Sequence, residues 1–143
     1  MIKYSKFRDS LKLVEEQHHR LQALAKQTDT ELWVLQAVKE SAVQRFKTCW
    51  DCLWKVLKRY LNEELNLPEV PNAPNPILRL AGEALILPSS VGQWLKYART
   101  RIDTSHDYSG EKADIALAIL DDFVKDAVAL YEKMTQERWQ SDL

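Results

Sequence analysis

Arg101, His106 and Tyr108 lie within one eight-residue stretch and form an Arg-x4-His-x-Tyr cluster. Nowhere else in the chain do a fixed cation, a titrating side chain and a phenol come together. His106 is expected at the C-terminal end of a helix, flanked by Asp103 and Asp107. Unpaired carbonyls and carboxylates there favour imidazolium, which suits proton exchange near neutral pH. Arg101, about a turn earlier, can hold a phosphate through its planar fork. Together the two residues suit phosphodiester or nucleotide chemistry. From spacing alone a plainer alternative stands beside it, in which His106 caps a helix, Arg101 pairs with a carboxylate and Tyr108 packs at a bundle end.

Other chemistry-bearing residues are less suggestive. Cys49 and Cys52 form a C-x-x-C, but in the middle of a helical pattern and without a second pair to complete a zinc site, so both are expected as core thiols. Glu16 with His19, and Asp103 with His106, have the carboxylate-x-x-His spacing of di-metal bundles. Such sites need further buried acids, and Glu15, Glu16, Asp121 and Asp122 read as solvated faces, so no metal and no cofactor is expected. Adjacent His18 and His19 cannot share one helix face, so at most one is buried. Lys55, Lys58 and Arg59 make a basic strip at i, i+3 and i+4 that suits phosphate or an acidic partner surface, or is simply solvated. A chain that itself transferred nucleotides would need a Gly-Ser loop and paired aspartates for the nucleotide and its metals. The sequence has neither Gly-Ser nor Asp-x-Asp.

The elements that must position these residues are helical. Phe7, Leu11, Val14, His18, Leu21 and Leu24 recur at three- and four-residue steps and predict a first helix from about Ser5 to Lys26. Thr28 and Glu31 have capping-box spacing ahead of a second helix that runs without Gly or Pro from Glu31 to Leu65, roughly 50 Å at the α-helical rise. It is apolar around much of its circumference, which predicts neighbours on several sides or a partner subunit. The Pro-rich stretch from Asn66 to Pro76 reads as an extended connection, with Asn75 and Pro76 opening a short helix to Glu83. Ser90 and Gln93 cap a further helix to Thr104, and a last helix is expected from Gly110 to Glu137. The five tryptophans are assigned to the core, with Trp139 as the exposed one.

Length and composition agree. A chain of 143 residues suits one domain with one core, and three glycines amid abundant Leu, Ala, Lys and Glu favour an all-α fold. The expected architecture is an antiparallel bundle of four to five helices with a long second helix. A net charge of −1 argues against a general duplex-DNA binder. No apolar run approaches the roughly 20 residues that cross a bilayer, so a cytoplasmic protein is expected.

Two blocks of residues resemble a known family. Ser41, Ala42, Val43, Gln44, Arg45 and Phe46, followed by Trp54, Lys55, Leu57, Lys58, Tyr60 and Leu61, resemble the long helix of the nucleotidyltransferase substrate-binding proteins. Trp94, Leu95, Ala98, Arg99, Arg101, Thr104, Ser105, His106 and Tyr108 resemble their second signature. The resemblance spans roughly residues 31–132. It implies a HEPN-like helical bundle, commonly a homodimer, that partners a separately encoded minimal nucleotidyltransferase. It further implies Arg45, Arg99, Arg101, His106 and Tyr108 as binding residues for a nucleotide or RNA. In related ribonuclease toxins of toxin-antitoxin pairs, Arg101 would hold the phosphate, His106 would be the acid-base group, and Tyr108 would be the tyrosine adenylylated by the partner. Ile102 departs from the polar residue, usually Asn, that follows the motif arginine in most relatives. That departure weighs against ribonuclease activity more than against the bundle or its partner role.

Overall fold

A computed structural model of the chain describes residues 1–105 and 110–143. The chain forms α1 (Ser5–Ala25), α2 (Leu32–Arg59), α3 (Pro74–Glu83), α4 (Val91–Asp103), α5 (Glu111–Ala118) and α6 (Leu120–Thr135). Among the described residues all regular structure is helical, and no helix is long and apolar enough to cross a membrane. Helix α2 is central and touches α1, α3, α4 and α5, while α1 also packs on α6. The short α1–α2 connection makes these two helices an antiparallel pair.

Phe7, Leu11 and Val14 bury one face of α1 against α2, as their three- and four-residue spacing dictates. The core gathers around Phe46, Trp50, Trp94, Tyr97 and Phe123, in which edge-to-face rings sit 4.9 to 5.4 Å apart. Such pairs contribute roughly 0.5–1.5 kcal/mol each beyond their burial.

The structure revises several expected boundaries. Helix α2 starts at Leu32 with no side-chain cap, so the Thr28–Glu31 capping box does not form. Beyond Arg59 it widens into a π-helical turn, Tyr60–Glu64, closed by the Leu65 amide donating to the Tyr60 carbonyl at 3.2 Å. The wider turn leaves Leu61 fully buried. Helix α3 opens at Pro74 rather than Pro76. First-turn amides have no partner within the helix, so prolines at the first and third positions cost no hydrogen bond. Ser90 caps α4 as expected, its Oγ accepting from the Gln93 amide at 3.2 Å.

The single last helix is instead two, bent at Ile119 (φ −92, ψ −4). Ile119 and Leu120 are both buried at the bend. Ala113 and Ala116 of α5 then pack on Val43, while Phe123, Ala127 and Leu130 of α6 join the main core.

Tryptophan placement also differs. Trp139 is partly buried: its ring meets Tyr131 edge-on at 5.2 Å and its Nε1 donates to Glu15 at 3.2 Å. A left-handed Gln136 (φ 61) turns the chain back to make this possible. The exposed tryptophan is Trp33, 67% accessible at the start of α2. Cys49 is buried, and burial pushes its thiol pKa up, but Cys52 is only half-buried.

Candidate functional site

Helix α4 carries Arg101, and it is fixed first by its apolar side. Trp94, Tyr97 and Ala98 are buried. The Tyr97 hydroxyl donates to Asp126 of α6 at 2.6 Å, and Ser89 donates to the same carboxylate oxygen at 2.9 Å. Burial, with Asp126 beside it, pushes the Tyr97 phenol above the ordinary tyrosine range. At the helix end the Thr104 hydroxyl donates to the carbonyls of Thr100 and Arg101 at 3.0 and 3.1 Å. The Thr104 amide donates to the same Thr100 carbonyl at 3.1 Å, so side chain and backbone together close the last turn.

Arg101 therefore leaves a rigid helix end, and its guanidinium is fully oriented. Nε and Nη2 donate to the two oxygens of Asp51 on α2 at 3.2 and 3.1 Å, and Nη1 donates to the Ser105 hydroxyl at 2.7 Å. This is the fork-to-carboxylate geometry that lysine cannot reproduce. The side chains keep 25% and 40% exposure, so the pair contributes about 1 kcal/mol or less to stability. A guanidinium has five N–H groups, so two remain for an incoming anion without displacing Asp51.

The pair lies in a cleft of about 610 Å³ between α2, α3 and α4. Trp50 and Trp54 of α2 supply aromatic wall, and Pro74 and Pro76 supply apolar wall that lacks two amide donors. Ala98, Ile102 and Ser105 complete it from α4 and its end, with Ile102 itself 61% exposed. Aromatic and proline surfaces around one oriented cation suit a flat ring bearing a negative group.

Of the expected binding residues that the structure describes, Arg45, Arg99 and Arg101, only Arg101 lines this cleft. Arg99 is 80% exposed and faces Asp103 at 3.8 Å on the surface. Arg45 lines a separate cleft of about 240 Å³ between α1 and α2, with Ser10, Leu13 and Thr48 among its neighbours. His106 and Tyr108 fall outside the described residues. The plainer alternative for Arg101, pairing with a carboxylate, is realised, and the pairing orients the group rather than hiding it. Sequence reasoning missed Asp51. Its signal was available, because between residues 41 and 62 Asp51 is the lone acid among Arg45, Lys47, Lys55, Lys58 and Arg59. Of the two adjacent histidines, His18 keeps 15% side-chain exposure, 3.4 Å from Asp121, and His19 is exposed. Among the described residues no group of three or more His, Cys, Asp or Glu converges as a metal site would require.

Residues 3–136 match the family model described as "Nucleotidyltransferase substrate binding protein like". The chain belongs to this family. The match takes in α1 to α6 together with the cleft. No curated protein is significantly similar in sequence. Among solved structures, a Haemophilus influenzae protein described as showing the fold of a substrate binding domain of a nucleotidyltransferase superposes with a TM-score of 0.68 at 25% identity. The superposition covers 88% of this chain and 99% of that one. A protein from Thermus thermophilus shares the fold, with a TM-score of 0.65 at 24% identity over 85% of this chain and 98% of its own.

Proposed function

We propose that this chain is the substrate-binding subunit of a separately encoded minimal nucleotidyltransferase, and that the Arg101 cleft receives the substrate. The family match over α1 to α6 carries this reading. The cleft supports it: a cation held in one orientation by Asp51 and Ser105, beside Trp50 and Trp54, positions a ligand without needing to react with it. The partner chain supplies the nucleotidyl transfer, and this chain supplies orientation and effective concentration, where well-oriented contacts are worth several orders of magnitude in rate. His106 and Tyr108 enter as candidate binding residues, with Tyr108 also a candidate adenylyl acceptor.

The subunit is proposed to act as a homodimer through its long helices. Leu32 and Trp33, 68% and 67% exposed at the start of α2, support a contact there.

The test is reconstitution with the minimal nucleotidyltransferase encoded beside it. The two chains should form a stable complex at micromolar concentration. Arg101→Ala should keep that complex and lower transfer to the substrate at least about tenfold. Failure of the wild-type pair to associate would overturn the reading. Intact-mass measurement with ATP, alongside a Tyr108→Phe control, separates a self-modified target from a carrier of a third molecule.

A further inference from the structure

We propose that the cleft between the start of α1 and the middle of α2 is a second binding site, separate from the Arg101 cleft, that takes a phosphate chain. The cleft measures about 350 Å³ and is bordered by Lys3 and Lys6 from the α1 side and by Lys55 and Arg59 from α2. Asp51, Lys55 and Arg59 recur at four-residue steps and so share one face of α2. The buried Phe7 and Val56 form the floor.

The charges around it do not cancel. Arg59 is held by Glu63, with Nε donating at 2.8 Å. Asp51, the cleft's acid, is held by Arg101. Lys3, Lys6 and Lys55 form no ion pair among the described residues, and the Lys55 ammonium stands 5.9 Å from the centre of the Trp54 ring. Three ammonium groups thus border one small concavity whose acid, Asp51, is already paired with Arg101, and none of the three forms an ion pair among the described residues.

The geometry selects among anions. Mobile ammoniums are point charges without the fork that fixes a planar carboxylate, so they favour a compact ion carrying several charges. Outside Lys3, Lys6, Lys55 and Arg59 the acids of the chain outnumber its bases, so the positive charge is local to this cleft and suits a short anion better than a long polyanion. Pyrophosphate, tripolyphosphate or the phosphate tail of a nucleotide meets both conditions. Asp51 also lines the Arg101 cleft, so a ligand with a planar ring on a phosphate chain has a neighbouring aromatic wall within the same surface.

Calorimetric titration of the full chain at low salt with tripolyphosphate, and separately with ATP, tests the site. Tripolyphosphate should bind saturably, and the double variant Lys6→Glu/Lys55→Glu should weaken it at least about tenfold. Lys112→Glu, an equal charge change per site on α5, should leave binding unchanged. Asp51→Asn, which removes the anion from the wall, should tighten it. Because the substituted lysines are exposed, an unchanged melting temperature verifies that the variants fold. ATP binding more tightly than tripolyphosphate, with the excess erased by Trp54→Ala, identifies a nucleotide tail. Equal affinity identifies a phosphate chain alone, and both outcomes uphold the site. No saturable binding of either probe, or the same loss with Lys112→Glu, overturns it. The outcome is independent of complex formation with the nucleotidyltransferase, so the two proposals fail separately.

Discussion

Helix α2 passes through two environments. From Ala42 to Leu57 it buries Val43, Phe46, Cys49, Trp50 and Leu53 beneath its neighbours. Over residues 32–41 no side chain is buried, although Leu32, Trp33, Val34, Leu35 and Val38 are as apolar as the residues that follow. The backbone is the same α-helix in both halves, because its hydrogen bonds are local and helix formers continue throughout. Burial depends on what lies opposite. Apolar spacing therefore marks a face that can be covered, while coverage is decided by the rest of the fold or by another chain.

The largest effect that can break this contrast lies in the covered half. Phe123→Ala removes a fully buried ring that meets Phe46 and Tyr97, and should cost about 3–5 kcal/mol in denaturant unfolding. A loss no greater than that of an exposed substitution would mean the aromatic cluster is not the stabilising centre. Next in size is Gly82→Ala, because a Cβ there would run into Cγ2 of Val91 where α3 and α4 approach. Overpacking at such a contact costs about 1–3 kcal/mol, and a neutral result would show that α4 shifts easily at its start.

Alkaline titration sharpens the same contrast by a smaller effect. Burial raises the pKa of Tyr97, and raises Tyr4 to about 12, against an ordinary 10.0. The unfolded chain then loses these protons first, so stability present below pH 10 falls as pH rises above it. Tyr97→Phe should flatten that alkaline slope in urea melts across the range, and an unchanged slope would count against a buried phenol.

Two smaller effects concern exposed positions. Leu85 holds a left-handed conformation (φ 61) at the end of α3, with the Ile86 amide returning to the Ala81 carbonyl at 3.2 Å. A glycine fits that turn without the Cβ penalty, so Leu85→Gly should raise stability by about 0.5–1 kcal/mol in thermal melts. Trp33→Ala should change the isolated chain's stability by less than about 0.5 kcal/mol. A loss comparable to Phe123→Ala would show that the open half is covered after all, and sedimentation of the same variant would report whether a second copy covers it.

Much of the fold was legible because it rests on local pattern. The periodic leucines of α1, the uninterrupted α2 and the Ser90 cap follow from side-chain spacing and hydrogen-bonding chemistry. The bend at Ile119 was not legible, since neither Pro nor Gly marks it and the helical pattern runs through it. Trp139 was likewise misplaced, because its burial depends on Tyr131 and on Glu15, 124 residues away along the chain.

The candidate site divides the same way. By itself the sequence determined the helices and the position of Arg101 near the end of one of them, because propensity, capping and periodicity act over a few residues. Tertiary structure decided that Arg101 meets Asp51, 50 positions earlier, and that Trp54 and two prolines wall the space around them. It likewise decided that Lys6 and Lys55 share a second cleft. Such meetings follow from how helices pack, and packing is a property of the whole surface each helix presents, not of any local stretch of chain.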